Sequence, residues 1–155
     1  MFKFKLGSVA KSIITGFKGT ITGRSHNHEG CDRYVLQPEI GEDGKVPESM
    51  FYDDVELEIL DETNALPHLD TSFKYNMLDE AKCNITGFKG TITGFVEHYN
   101  GCRYAYVQPK SKENKVEDGA WVNLADLKIT KAFKPKPEPK PRASRPPGGF
   151  PSSIK

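Results

Sequence analysis

Four groups of side chains in this 155-residue sequence are of types that do chemistry. His26-x-His28-x-x-Cys31 carries the nitrogen and sulfur donors of a zinc site. Its spacing is not that of a four-ligand site, and the related stretch downstream offers only His98 and Cys102, so no metal is expected. Phe17-Lys18 and Phe88-Lys89 each set a cation beside an aromatic ring at a turn. Such a pair can stack a base and hold a phosphate, or it is a ring folded onto a core beside a solvated lysine. Arg33-Tyr34 and Arg103-Tyr104 form a third group. The fourth is a run of alternating Lys and Pro, from residue 134 to 142, near the C-terminus. No nucleophile has a base at matching places, no carboxylate pair recurs, and no glycine-rich loop precedes a helix. The expected chemistry is therefore binding, without catalysis and without a cofactor.

Several of these groups occur in pairs because the chain is duplicated. Ile-Thr-Gly-Phe-Lys-Gly-Thr-Ile-Thr-Gly stands at residues 14–23 and again, unchanged, at 85–94, an offset of 71. The offset extends upstream, where Leu6, Ala10 and Lys11 meet Met77, Ala81 and Lys82. Downstream it takes Gly30-Cys31 to Gly101-Cys102 and Gln37-Pro38 to Gln108-Pro109. Beyond that the second copy is one residue shorter, so that Phe51 meets Trp121 and Leu57 meets Leu127. A deletion of this size suits a turn. The organisation expected is a first unit at 1–60, a linker at 61–76, a second unit at 77–130 and a tail at 131–155. Counted from the cysteine or from Gln-Pro, the Arg-Tyr pair is displaced by one residue between the copies. In a strand that reverses the face, so Arg33 and Arg103 are expected to point differently unless a bulge compensates.

Short apolar or β-branched runs separated by glycine turns predict five strands per copy. In the first they fall at 9–14, 20–22, 31–37, 49–52 and 57–60, with turns at 15–19, 27–30 and 41–44 and a tight bend at Asp53-Asp54. Gln37 and Gln108 are expected to bond backbone at a strand end. Trp121 is expected to anchor the second core. The sole candidate helix is a short one near 77–82. This rhythm points to an all-β protein of two tandem SH3-like small β-barrels.

The net charge of +1 conceals an asymmetry. From residue 131 onward there are seven Lys or Arg against one Glu, leaving a body with a net charge of −5. Seven of the eleven prolines lie in the same tail, which is expected to be extended polyproline II or disordered. Lys134, Lys136, Lys140, Arg142 and Arg145 would give it long-range attraction, and Phe150 and Ile154 a short apolar anchor. At roughly 3.1 Å per residue such an arm reaches on the order of 50 Å. Three cysteines make no disulfide framework and suit a reducing compartment. No run approaches a membrane span and no signal peptide is expected.

Two resemblances follow from these residues. Leu-Gly-x-x-Val followed by Gly-Phe-Lys-Gly-Thr-Ile resembles the KOW element of ribosomal proteins and transcription elongation factors. That resemblance implies that Gly19 and Gly90 permit a close approach of strands. The longer pattern from Thr15 to Glu58, through Gly-Cys-Asp-Arg-Tyr, Gln-Pro, Asp-Gly-Lys and Phe-Tyr-Asp-Asp, resembles small proteins of phages and prophages. Those usually carry one such unit, and here there are two. The resemblance implies a viral accessory or structural protein in the host cytoplasm or the virion, and brings no established ligand. The function expected is docking on a host or virion protein through the barrels and the basic tail. Two alternatives stand beside it: a KOW-like nucleic-acid binder that uses the tail for phosphates, and a sponge for a small nucleotide. Candidate contact residues are Phe17, Lys18, Arg33, Phe88, Lys89, Arg103 and the tail residues named above.

Overall fold

In the computed structural model, which describes residues 2–67 and 74–139, the chain is all-β with two short 3-10 turns. In the first repeat, Val9–Ser12 alternates half-buried and buried positions and forms β1. It is followed by β2 (Lys18–Asn27), β3 (Asp32–Gln37), β4 (Met50–Asp53), a 3-10 turn at Asp54–Glu56, and β5 (Leu57–Asp61). The second repeat gives β6 (Glu80–Cys83), β7 (Lys89–His98), β8 (Arg103–Gln108), β9 (Ala120–Asn123), a 3-10 turn at Leu124–Asp126, and β10 (Leu127–Lys131). Each repeat is an antiparallel group in the order β5-β1-β2-β3-β4, or its counterpart β10-β6-β7-β8-β9. No ladder joins β4 to β5 or β9 to β10 among the described residues, so the sheet is not a closed barrel.

Each repeat has its own core. Phe2, Phe4, Leu6, Ala10, Ile21, Tyr34, Leu36, Tyr52 and Leu57 cluster in the first, and Tyr75, Ala81, Ile92, Phe95, Ala105, Val107 and Leu127 in the second. Tyr75 stands at the offset of Phe4 and donates from its hydroxyl to the Leu127 carbonyl at 2.6 Å. Tyr75, in the stretch expected as linker, thus packs in the second core. Leu66, read as linker, belongs to the first, where its amide donates to the Leu6 carbonyl at 2.8 Å.

The two groups are one ten-stranded sheet because β2 pairs with β7. The register is Gly23↔His98, Arg24↔Glu97, Ser25↔Val96, His26↔Phe95 and Asn27↔Gly94. Sequence read only Thr20-Ile21-Thr22 as strand, because Arg24-Ser25-His26-Asn27 has the polarity of a loop. These residues are extended because β3 of the same repeat pairs with one of their edges and β7 of the other repeat, 67 to 75 residues away, with the other. A β-bulge precedes the junction in each repeat, between Ile21 and Gly23 and between Ile92 and Gly94. The bulged threonines contribute to the junction: Tyr99 N–H donates to the Thr22 carbonyl at 2.8 Å and His28 N–H to the Thr93 carbonyl at 2.9 Å.

Two further expectations are corrected and one is met. The segment near 77–82 is a turn and the strand β6, with no helix. The turn expected at 41–44 is present in the loop between β3 and β4, with Gly44 at φ 70°. Trp121 is 48% exposed and does not anchor a core; it lies edge-on to Tyr106 at 5.1 Å on the outer face of β9.

Candidate functional site

Glycine sets the first piece of geometry. A Cβ on Gly19 would lie 2.7 Å from the Gln37 carbonyl carbon, and one on Gly90 would strike Gln108 in the same way. Only glycine lets β2 and β7 cross so close to the ends of β3 and β8. There the glutamine amides donate to carbonyls, Gln37 to Pro47 at 2.9 Å and Gln108 to Glu117 at 2.5 Å, pinning the loops that follow. The glutamines bond backbone as expected, though half-buried.

Next to these crossings lie the phenylalanine–lysine pairs. Phe17 packs on the first core with its ring 5.6 Å from Tyr52, and Phe88 packs on the second. Lys18 and Lys89 are exposed. The ring of each pair therefore belongs to packing and the ammonium to solvent. The ring available at the surface is the one on β4 or β9: Phe51 is 54% exposed, with the Arg33 guanidinium 5.6 Å from its centroid. Arg33 also donates from Nε to Asp53 Oδ1 at 3.1 Å.

In the second repeat a groove runs between the turn at 84–88 and the outer face of β9. Ile85, Phe88, Tyr104 and Trp121 give it apolar walls, with Asn123 and Asp126 at its polar side. Ile14 and Ile85, at equivalent turn tips, are among the most exposed aliphatic side chains of the described chain. A second groove is lined by Phe88, Lys89, Lys110 and Lys112 together with Glu80 and Glu117. Its ammonium groups are partly matched: Lys110 lies 3.7 Å from Glu80 and Lys112 3.7 Å from Glu117. At the offset of 71, Lys110 and Lys112 correspond to Glu39 and Gly41, so this basic lining is not repeated.

The displaced Arg-Tyr pair is placed by register. Arg33 is opposite Ser25, whereas the residue opposite Val96, the equivalent position, is Tyr104. No bulge restores the match, and the arginines lie on different faces. Arg103 turns toward the junction and donates to Glu97 Oε1 at 3.1 Å. Glu97 is fully buried, and its Oε2 accepts from Arg24 Nη2 at 2.8 Å and Nε at 3.0 Å. Arg24, also buried, donates from Nη1 to the Phe4 carbonyl at 2.9 Å and lies 4.6 Å over the Phe2 ring. Sequence reasoning did not single out Arg24 or Glu97. The available signal was that the copies, identical through residues 23 and 94, then differ at once, Arg24 against Phe95 and His26 against Glu97.

The remaining candidates are simpler. His26 is bonded to Asp32 at 2.5 Å, and among the described residues no group of three or more His, Cys, Asp or Glu is placed to hold a metal. Cys83 is buried in the place of Ser12; a hydrogen bond from the Thr86 hydroxyl, aided by the Thr86 and Ile85 amides, holds its thiol below the usual value. Lys134 and Lys136 are exposed. Lys140, Arg142, Arg145, Phe150 and Ile154 lie outside the described residues. No helix among the described residues is long and apolar enough to cross a membrane. Comparison with protein-family models, curated proteins and solved structures finds no match.

Proposed function

We propose that the chain is a non-enzymatic binding protein, of the phage and prophage kind its sequence resembles, that docks on a host or virion protein. The observation that carries this reading is the groove of the second repeat. Ile85 and Trp121 line it together, 76% and 48% exposed, and an apolar patch with a polar side is the kind of surface that marks contact sites. The strand order β5-β1-β2-β3-β4, with a 3-10 turn between β4 and β5, supports reading each repeat as an SH3-like barrel left open at one seam. The partner is a protein segment with apolar side chains for the groove, and the basic tail adds attraction to acidic surface around it.

The test is capture of partners from expressing or infected cells, with and without nuclease, by the intact chain and by two variants. Ile85→Ser/Trp121→Ala should weaken a nuclease-resistant interaction at least about 30-fold, as expected for loss of a central hot spot. Val116→Ser, at a side chain exposed elsewhere, should leave it unchanged. Capture that vanishes with nuclease and with rising salt, and ignores the groove variant, would replace this reading with the KOW-like one.

A further inference from the structure

The β2–β7 junction is built on a local two-fold axis. Residues 23 and 94 are equivalent, as are 27 and 98, and the register pairs Gly23 with His98 and Asn27 with Gly94. Ser25 and Val96, equivalent to each other, face one another at the centre. The flanking bonds obey the same symmetry, His28 to Thr93 and Tyr99 to Thr22. Two like edges meeting in this manner make an isologous contact, the kind identical subunits form. By backbone alone, either repeat could pair with a copy of itself.

The side chains break that equivalence. One rung of the sheet reads Tyr34·Arg24·Glu97·Arg103, and its symmetry mate reads Asp32·His26·Phe95·Ala105. All four equivalent positions differ, while the backbone pairing is the same. Two first repeats would face Arg24 with His26 twice, burying guanidinium groups away from Glu97. Two second repeats would face Glu97 with Phe95 twice; Arg103 would still hold Oε1, but Oε2 would lose both bonds from Arg24. Only unlike repeats put the charges together and leave His26 opposite Phe95. The cores are adjusted to match. Arg24 lies across β2–β3 from the large Tyr34, whereas Phe95 lies across β7–β8 from the small Ala105.

We infer that the edges at 23–27 and 94–98 form a heterotypic recognition surface, in which Arg24 and Glu97 make each repeat select the other and reject its own kind. The chain is thus a heterodimer carried in one polypeptide. The only other partner this surface fits is the opposite repeat of a second copy. A buried ion pair used for specificity has this signature: the correct pairing satisfies it in full, and each wrong pairing takes from one member its bonds across the junction.

The experiment places a protease site between Pro67 and Lys74 of the 155-residue chain, cuts the folded protein, and incubates it in mild denaturant so that halves can exchange. Native mass spectrometry then counts the species. The cut parent protein should remain a one-to-one pair of unlike halves, favoured over like pairs by at least about 100-fold. Arg24→Met and Glu97→Gln, made separately, each remove the difference between pairings and should yield like and unlike pairs together. Where one variant does not fold, the other serves. In the uncut chain, the same two substitutions and their double should show a coupling of about tenfold or more in the unfolding equilibrium constant. Parent halves that scramble as freely as the variants, or that separate into single halves at micromolar concentration, would overturn the proposal, as would additive effects in the uncut chain.

Discussion

Tyr34 shows how one hydroxyl fixes the start of the chain. It is fully buried, and its oxygen accepts from the amides of Lys3 and Phe4 at 2.9 and 3.2 Å. Tyr34→Phe keeps the ring contacts with Phe2 and Phe4 but leaves both amides without that partner. A loss of about 1–3 kcal/mol is expected by urea unfolding at pH 7. Burial is the largest influence on the phenol and raises its pKa, outweighing the amide bonds, which favour the phenolate. The sign follows: its contribution is complete below the unfolded phenol value of about 10 and is lost as pH rises through the higher folded value. The gap between parent and variant should accordingly narrow in alkaline solution, and a gap that widens would contradict the assignment. Position 34 was not predictable from the Arg-Tyr motif alone. The second copy has Ala105 there, a difference legible only once the register is known.

Among the elements, β10 and the segment leading out of it depend on an unlike device in the second repeat. Asp79 is buried and takes the place of Ser8; its Oδ1 accepts from the Phe133 amide at 2.8 Å and its Oδ2 from the Asn76 amide at 3.0 Å. One carboxylate therefore ties the entrance of the second repeat to the base of the tail. Asp79→Ala should destabilise by about 1–3 kcal/mol and speed amide exchange at Asn76 and Phe133 while sparing β1. The five strands of each copy were legible because Val9, Ile21, Leu36 and Leu57 mark short apolar runs between glycine turns. The length of β2 was not, since nothing within 23–27 is apolar and what extends it is pairing with β3 on one edge and β7 on the other. The exposure of Trp121 was not legible either. Bulk predicts burial, but β9 has a hydrogen-bonded neighbour on one side only, and its alternation turns position 121 outward.

At the scale of the whole molecule, two cores share one continuous ladder, so the junction should open without either core melting. A Cβ on Gly94 would lie 3.0 Å from Asn27 Oδ1 and 3.5 Å from the His26 carbonyl. Gly94→Val should strip at least about tenfold of exchange protection from amides in 23–27 and 94–98 together, and leave Ala10 and Ala81 protected. Loss confined to one strand would show that the ladder is not shared. The junction also has a history within each molecule's making. The second edge begins 71 residues after the first, and at about 5–20 residues per second a ribosome needs roughly 4 to 14 s to supply it. Until then a nascent first repeat carries an open edge and an Arg24 without its Glu97, beside other nascent chains on the same message in the same condition. On the selectivity inferred for the junction, the mismatch of Arg24 with His26 would keep newborn first repeats apart until each has made its own second half.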